Sequence, residues 1–249
     1  MKIKVLYEDA NILAIDKPSG ILVHSDQRSK EKTIFDLFKK KYPKLEIVHR
    51  LDRETSGVML LAKNKKTHEF LKRQFQARTI KKIYHTIVNG SVKSDHGIIN
   101  KPIGRSPRDF RRHLAGRGAR GALREAITEY KVLKRFEIPA LQIFSRFTLK
   151  GSDTKKKSVK PALAKFTYLE VFPKTGRTHQ IRVHLKFINH PIVSDLLYNP
   201  DGPCPKGWKR LALHAKSIEF NLPAQAGDLK GKVVRVESTL PKEFKNIVK

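Results

Sequence analysis

Short apolar segments dominate the hydrophobic pattern of this chain, and most of them have the length of β-strands. Residues 3 to 7 alternate between apolar and polar positions, as a strand does. Continuous apolar runs of strand length occupy Ile12 to Ile15 and Val58 to Ala62. Further strands are predicted at Ile83 to Val88, Ile127 to Val132, Phe166 to Val171 and Val233 to Val236. The pattern therefore predicts a protein rich in β-sheet.

Three segments have the features of helices. Thr33 stands at capping-box spacing from Asp36, and apolar residues then recur at helical intervals until a proline ends the run. Asn64 is placed to cap a second helix that continues to Phe75. The segment from Ile181 to Ile188 is ambiguous, because its apolar residues fit both strand alternation and one helix face. Strands mixed with a few helices predict an α+β fold, and the length of 249 residues predicts a single domain, 1–249.

The composition adds a strong positive charge. The chain has 53 Lys and Arg residues against 23 Asp and Glu residues, which gives a net charge of +30 and an isoelectric point near 10.3. Cationic side chains bound to phosphates release counterions, so this excess predicts a nucleic-acid partner. Ribosomal and histone-like proteins are equally basic, so charge alone does not indicate an enzyme.

The single cysteine and the first residues of the chain exclude several kinds of site and segment. Cys204 is the only cysteine, which excludes an internal disulfide and a structural zinc site built on cysteines. The first residues lack an apolar signal-peptide core, and no apolar run has the length of a membrane span. We expect a cytoplasmic protein, with a monomer as the default state.

Two basic segments lie between the predicted strands. Residues 105–124 carry seven arginines and three glycines, so we expect an irregular, mobile arm that contacts RNA, with Arg111 and Arg112 among its contacts. A disordered linker is the alternative. Residues 136 to 165 begin with an apolar stretch and continue with five lysines between 150 and 160, which predicts an apolar hairpin or strand followed by a Lys-rich loop.

The stretch from Val48 to Ala62 concentrates the candidate chemistry. Charged residues crowd its first half, a polar turn follows, and an apolar strand ends it. A charged loop held against a buried strand is a common way to present reactive side chains, and Asp52 is the candidate carboxylate. A surface ion-pair cluster with Arg50 and Arg53 is the alternative interpretation.

The order of residues in this stretch is more specific than its composition. His49-Arg50-Leu51-Asp52, followed by Thr55-Ser56-Gly57 and the apolar strand, resembles the catalytic motif of the RluA-type pseudouridine synthases. Lys81 to Gly90, Phe172 to Leu185 and Arg210 to Ala215 resemble later segments of the same family in the same order. The resemblance covers roughly residues 5 to 105 and 166 to 245, and its start near residue 5 leaves no room for the separate N-terminal RNA-binding domain of some members. Residues 136 to 165 depart from the family pattern, which implies a Lys-rich insertion where the family has a short connection.

The resemblance implies both fold and activity. It implies a mostly antiparallel mixed β-sheet flanked by helices and loops, with a central active-site cleft and a helix at the ambiguous third motif. It also implies isomerisation of specific uridines in ribosomal or transfer RNA, a reaction that needs no redox cofactor and no metal. Asp52 would be the essential carboxylate, attacking the ribose or the base or assisting proton loss from the sugar.

The resemblance also assigns residues to the site. Tyr84 would lie against the uracil and help a deprotonation, Arg182 would pair with Asp52, and Arg50 would fill the space left by a flipped base. The remaining residues expected to bind substrate are His49, Arg53, Thr55, Arg177 and His179. A non-catalytic RNA-binding or ribosome-assembly protein on the same fold is the competing hypothesis.

A metal site is the weaker interpretation of the histidines. The spacing of His179, His184 and His190 does not place three ligands on one helix face, and no carboxylate is near in sequence until Asp195. A metal nuclease would need clustered acids, which the sequence lacks. No Ser-His-Asp arrangement, phosphate-binding loop or dinucleotide fingerprint is visible either.

Overall fold

The computed structural model describes residues 3–25, 31–144, 163–223 and 231–248. The chain forms two compact units, Met1–Tyr84 with His214–Leu240, and His85–Leu213 with Pro241–Lys249. The strands are β1 (Lys4–Glu8), β2 (Ile12–Lys17), β3 (Glu46–Ile47), β4 (Ser56–Ala62), β5 (Lys81–Asn89), β6 (His96–Asn100), β7 (Ile103–Arg105), β8 (His113–Ala115), β9 (Arg120–Arg124), β10 (Ile127–Pro139), β11 (Ile143–Phe144), β12 (Leu163–Pro173), β13 (Cys204–Pro205), β14 (Leu213–Asn221) and β15 (Val233–Glu237). The helices are α1 (Ile34–Lys39), α2 (Lys65–Gln76), α3 (Gln180–Phe187) and α4 (Lys242–Val248), with a 3-10 turn at Ala140–Gln142.

The first unit is a sheet in the order β1-β2-β4-β14. Strands β1, β2 and β4 run antiparallel, β4 and β14 pair in parallel, and β3 and β15 add antiparallel partners to β4 and β14. The apolar runs in β2 and β4 are continuous because both faces of these strands are buried. Helix α2 packs Leu71 against one face and helix α1 packs Ile34 and Phe38 against the other.

The second unit contains the end of β5 and the antiparallel strands β12, β10 and β6, in the order β5-β12-β10-β6. A separate three-stranded sheet has the order β8-β7-β9. Helix α3 and strands β7 and β8 share a small core, whose buried members include Ile103, Ala115 and Val183. Strands β11 and β13 form a short pair.

Most predicted elements are confirmed, including the α+β fold. The Asn64 side chain accepts a hydrogen bond from the Thr67 backbone and starts α2, and Thr33 forms the expected capping box. Of the two alternatives for the third motif, the helix is correct. Within the described residues, no helix is long and apolar enough to cross a membrane.

The expectation of an irregular arm at 105–124 is wrong. Its residues form β8, β9 and the end of β7, because Ile103 and Ala115 supply buried contacts that the arginine count conceals. The predicted insertion at 136 to 165 begins with the end of β10, the 3-10 turn and β11, but residues 145–162 lie outside the described residues. The single-domain boundary, 1–249, stays a prediction.

Candidate active site

The loop that carries Asp52 joins β3 to β4 and is fixed through its backbone. Lys17 at the end of β2 is fully buried, and its ammonium group donates to the carbonyls of Pro18 at 3.0 Å, Arg53 at 2.9 Å and Thr55 at 2.8 Å. The Gly20 amide also donates to the Arg53 carbonyl, at 2.8 Å. A buried lysine therefore holds the backbone directly after Asp52.

The start of β4 is fixed from the other side by β14. Ser56 pairs with His214 and Gly57 with Ala215 in the parallel register, and Ser56 Oγ lies 2.7 Å from His214 Nδ1. Gly57 has a φ of +110°, and a Cβ there would lie 2.1 Å from the Ala215 carbonyl oxygen. Only glycine fits this close approach, which gives the glycine of the motif a physical reason. The polar turn predicted at Thr55-Ser56-Gly57 lies earlier, at 53–54, and β4 begins at Ser56.

The charged residues of the loop differ in their surroundings. Asp52 is partly buried, whereas Arg50 and Arg53 are exposed. The Arg53 guanidinium donates to Glu31 at 2.8 Å and to the Gly20 carbonyl at 3.1 Å, so its contacts serve the loop. The Thr55 side chain is buried, which points to packing. Substrate binding by Arg53 and Thr55 stays a prediction.

Tyr84 lies close enough to Asp52 for the two groups to interact electrostatically. Burial raises the pKa of the Tyr84 phenol well above its ordinary value, and the Asp52 carboxylate raises this pKa further. The phenol is therefore protonated at neutral pH. Its ring packs against the apolar cluster that contains Ile15 and Met59. The part in a deprotonation that the resemblance implies for Tyr84 stays a prediction.

His49 has a structural position. Its Nε2 accepts a hydrogen bond from the Leu60 amide at 3.0 Å, and its ring lies 4.9 Å from the ring of Phe75. Burial lowers the pKa of His49 to about 3, with a smaller contribution from the charge of Lys82. The neutral ring with its proton on Nδ1 thus joins the catalytic motif to β4 and α2. Its predicted role in substrate binding remains untested.

Arg182 is buried in the second unit and forms a two-point ion pair. Its Nε and Nη2 donate to the two carboxylate oxygens of Asp195, each at 2.8 Å. The ring of Tyr198 lies 5.1 Å from the guanidinium carbon. The partner of Arg182 implied by the family resemblance is Asp52, and that pairing stays a prediction.

The other third-motif residues surround the start of α3. His179 adopts a left-handed conformation with a φ of +55°, and its Nδ1 lies 3.0 Å from the Tyr198 hydroxyl. Arg177 donates from Nε to the Glu125 carbonyl at 2.9 Å, which ties the motif to the segment before β10. Both side chains are half-buried, and their substrate contacts remain predictions.

The arginines on and between the strands of the three-stranded sheet form a basic surface. Arg111 makes a two-point contact with Asp109, at 3.0 and 2.9 Å, and Arg112 Nε lies 3.4 Å from the same carboxylate. The exposed arginines of this surface are Arg105, Arg108, Arg111, Arg117, Arg120 and Arg124. Residues 105 to 124 contain seven arginines and only one carboxylate, so the surface has a strong positive charge.

The sequence did not single out Lys17, Asp195, Tyr198 or His214. The available signal for Lys17 was its position two residues after the apolar run that ends at Ile15 and directly before Pro18, since a fully buried lysine is rare. Asp195 and Tyr198 gave no local signal, because their roles depend on contacts with α3. In the described ranges, no three His, Cys, Asp or Glu side chains are grouped to hold a metal ion.

Comparison with known proteins agrees with this geometry. The model of the RNA pseudouridylate synthase family matches residues 11–187. An uncharacterized RNA pseudouridine synthase of Aquifex aeolicus is 37% identical over 205 residues, which cover 79% of this chain and 56% of the relative. A dual-specificity RNA pseudouridine synthase, RluA, of Vibrio vulnificus is 34% identical over 225 residues, which cover 88% of this chain and 78% of the relative.

A third relative and two solved structures extend the match. The ribosomal large subunit pseudouridine synthase D of Neisseria meningitidis serogroup B is 33% identical over 263 residues, and this chain spans 61% of its length. The structure of human RNA pseudouridylate synthase domain containing 4 has a TM-score of 0.65 and 26% identity, covering 97% of this chain and 90% of that one. The structure of human RNA pseudouridylate synthase domain containing 1 shares the fold, with a TM-score of 0.70 and 23% identity over 96% of this chain and 84% of that one. The chain therefore belongs to the RNA pseudouridylate synthase family, in its RluA-type branch.

Proposed function

We propose that this protein is an RNA pseudouridine synthase that isomerises specific uridines in ribosomal or transfer RNA. The observation that carries the proposal is the setting of Asp52. The loop that carries Asp52 is fixed by the buried ammonium group of Lys17. The Asp52 carboxylate lies close enough to Tyr84 to raise the pKa of its phenol. We further propose that the protein acts in the cytoplasm, as a monomer and without a cofactor.

The chemistry follows from the bonds that change. The glycosidic bond from N1 to C1′ breaks, the uracil turns, and a new bond joins C5 to C1′. The proton on C5 is lost and N1 gains one, so the product is an isomer of the substrate. A fixed carboxylate can serve this sequence as a nucleophile or as a proton acceptor at the sugar. Asp52 is the residue proposed for this role.

The other site residues hold the substrate. Tyr84, kept neutral by burial, provides a ring against the uracil and a hydroxyl that donates a hydrogen bond. The family resemblance supports Arg182 as the cationic partner of Asp52 and Arg50 as the side chain that replaces the flipped base. The exposure of Arg50 agrees with that role.

The basic surface of the three-stranded sheet is proposed to bind the RNA backbone. Arg105, Arg120 and Arg124 lie on the paired strands β7 and β9, and Arg108, Arg111 and Arg117 lie in the turns between the strands. The sheet therefore limits their spacing before the RNA arrives. Asp109 holds Arg111 in one orientation through two hydrogen bonds, at 3.0 and 2.9 Å. Such an arrangement favours a folded RNA stem-loop, because fixed cations match fixed phosphates at lower entropic cost.

The experiment that tests the activity is a chemical map of pseudouridine in total RNA from cells with and without the protein. Complementation uses wild type, Asp52→Ala and the control Glu54→Ala, which removes an exposed carboxylate two residues away. We expect wild type and Glu54→Ala to restore the lost sites, and Asp52→Ala to restore none. If Asp52→Ala restores every site, or if deletion changes none, the protein is an RNA binder without this activity.

A second experiment tests the RNA surface. We expect the combined change Arg108→Ala, Arg111→Ala and Arg117→Ala to lower the salt dependence of RNA binding, by about 0.7–0.9 in log–log slope for each lost phosphate contact. The matched control removes three exposed lysines of α2 by Lys65→Ala, Lys66→Ala and Lys72→Ala. An equal change in slope for both triple variants would show that the sheet has no special role.

A further inference from the structure

Asp195 combines complete burial with a fixed orientation. The residue is 1% exposed and lies between β12 and β13 in the turn that follows α3. Its Oδ1 accepts hydrogen bonds from the Leu197 and Tyr198 amides, each at 3.0 Å. Its main chain is held as well, because the Asn199 amide donates to the Asp195 carbonyl at 2.7 Å. The carboxylate is thus locked by its own turn before it meets any other side chain.

This locked carboxylate meets one edge of the Arg182 guanidinium. Nε and Nη2 donate to Oδ2 and Oδ1, both at 2.8 Å, which is the two-point geometry that fixes the plane of an arginine. An arginine has five N–H donors, and this pairing uses two of them. The other donors then point in a direction set by Asp195.

Tyr198 holds the same guanidinium from a second direction. Its ring lies 5.1 Å from the Arg182 guanidinium carbon, a distance typical of a cation–π contact. The Tyr198 hydroxyl accepts a hydrogen bond from the His113 amide at 2.9 Å and lies 3.0 Å from His179 Nδ1. One tyrosine therefore joins the arginine, the start of α3 and the first residue of β8 in the basic sheet.

Stability alone is a poor reason for this arrangement. A buried ion pair loses the hydration of both charges, and apolar residues of similar size often stabilise a fold equally well. What the pair provides is a defined position for a cation. We propose that Asp195 and Tyr198 are positioning residues that hold Arg182 in its working orientation. This inference rests on the proposed function, in which Arg182 acts beside the catalytic carboxylate.

The main variant is Asp195→Asn, which keeps the size of the side chain and can keep an oxygen toward the two backbone amides. It removes the negative charge and places an amide against the Arg182 donors. We expect the single-turnover rate of pseudouridine formation to fall about ten- to hundredfold, as for a catalytic group displaced by about 1 Å. The RNA affinity of Asp195→Asn should stay within about twofold of the wild-type value, because Asp195 is buried and its side chain is not accessible to the RNA phosphates.

Two more variants make the test specific. Tyr198→Phe keeps the ring beside Arg182 and removes the hydroxyl, so we expect a smaller loss of about three- to tenfold in rate. The control Asp95→Asn breaks an exposed aspartate–arginine pair in the same unit, in which Arg135 Nη2 lies 2.7 Å from Asp95 Oδ1. This control should react at the wild-type rate.

A double variant separates positioning from a general structural effect. If Asp195 acts through Arg182, then Asp195→Asn should slow Arg182→Lys by less than about threefold, since the oriented guanidinium is already lost. Losses that multiply in the double variant would overturn the proposal. The same holds if folded Asp195→Asn reacts at the wild-type rate. Where Asp195→Asn fails to fold, an unchanged rate for Tyr198→Phe overturns the role of the tyrosine hydroxyl, and its slower rate supports it.

A spectroscopic readout distinguishes this proposal from the proposed function. The Nε–H resonance of Arg182 in a ¹H–¹⁵N spectrum should shift or broaden in Asp195→Asn and remain in Asp95→Asn. If the wild type makes no pseudouridine in any RNA, the proposed function fails, and with it the catalytic purpose of the positioning. If the wild type is active but the Arg182 resonance is unchanged in Asp195→Asn, only the positioning inference fails.

Discussion

Replacing Lys17 with methionine tests whether the buried ammonium group holds the catalytic loop. Methionine has a similar length and is apolar, so Lys17→Met removes the charge and the hydrogen bonds to three carbonyls with little change in volume. The carbonyls of Pro18, Arg53 and Thr55 then lose this donor. Two of these carbonyls belong to residues within three positions of Asp52, so the change acts directly on the candidate active site.

The size of the effect follows from opposing contributions. A hydrogen bond with a charged partner contributes about 1.5–3 kcal/mol, so three bonds give about 4.5–9 kcal/mol before any offset. Burial of the ammonium group lowers the free energy of unfolding of the wild type by several kcal/mol, and the uncharged variant does not have this penalty. We expect a net loss of about 3 kcal/mol in the free energy of unfolding. For a chain of this length that loss lowers Tm by about 6–12 °C.

The assay is urea unfolding of wild type and Lys17→Met, together with the single-turnover rate of the folded variant. Lys81→Met is the matched control, because the Lys81 side chain is 76% exposed and contacts Glu219 at 2.7 Å on the surface. We expect the control to change stability by less than about 0.5 kcal/mol. Wild-type stability combined with a wild-type rate in Lys17→Met would show that the lysine does not hold the loop.

Two further predictions concern the same motif. Gly57→Ala should lower stability by more than about 4 kcal/mol, because the new Cβ would lie 2.1 Å from the Ala215 oxygen, whereas Gly118→Ala, with a φ of +84° and open space, should cost about 1 kcal/mol. A soluble Gly57→Ala protein of normal Tm would contradict the close approach of β4 and β14. Because the pKa of His49 is lowered to about 3, the unfolded chain binds a proton that the folded chain does not, and stability should fall by about 2 kcal/mol between pH 6.5 and pH 4.5. This fall should be smaller in His49→Gln, and an identical pH dependence in both proteins would assign it to other groups.

The sequence predicts the parts of this site that depend on local order. The apolar run from Val58 to Ala62 lies in strand β4, and the motif places Asp52 four residues before the strand begins at Ser56. Both follow from neighbours in sequence, as does the cap at Asn64. What local order cannot show is which distant backbone a side chain reaches. Lys17 contacts residues 36 and 38 positions later in the chain, and no periodicity reports such a contact.

For the arginine-rich segment, the prediction from the sequence was wrong. Its charge and glycines predict disorder when they are averaged over 105–124. The segment is ordered because its buried Ala115 packs in one cluster with Ile103, which precedes the segment, and with Val183 of α3. Composition averages over the whole segment, whereas its order depends on single positions and on strand pairing: Ala115 is buried, and β9, all of whose residues are exposed, is paired with β7. The net charge of a segment therefore predicts its binding partner better than it predicts whether its backbone is ordered.

Lys17 and Arg182 are both buried cations, but their partners differ, and the difference predicts different costs of removal. Lys17 contacts neutral carbonyls, whereas Arg182 faces a buried carboxylate. Arg182→Met alone would leave that carboxylate without its two-point partner, a change that typically costs about 3–5 kcal/mol. Combining it with Asp195→Asn removes both charges, so we expect the double variant to regain most of this loss while remaining inactive.

Urea unfolding of the two variants measures this difference. A double variant that is as stable as wild type and inactive would mean that the ion pair is kept to orient a cation, at no net gain in stability. A double variant as unstable as Arg182→Met alone would mean that the pair stabilises the second unit, and Asp195 would then be a structural residue. Since both variants lack Arg182, their activity cannot separate these outcomes, and the free energy of unfolding is the quantity that does.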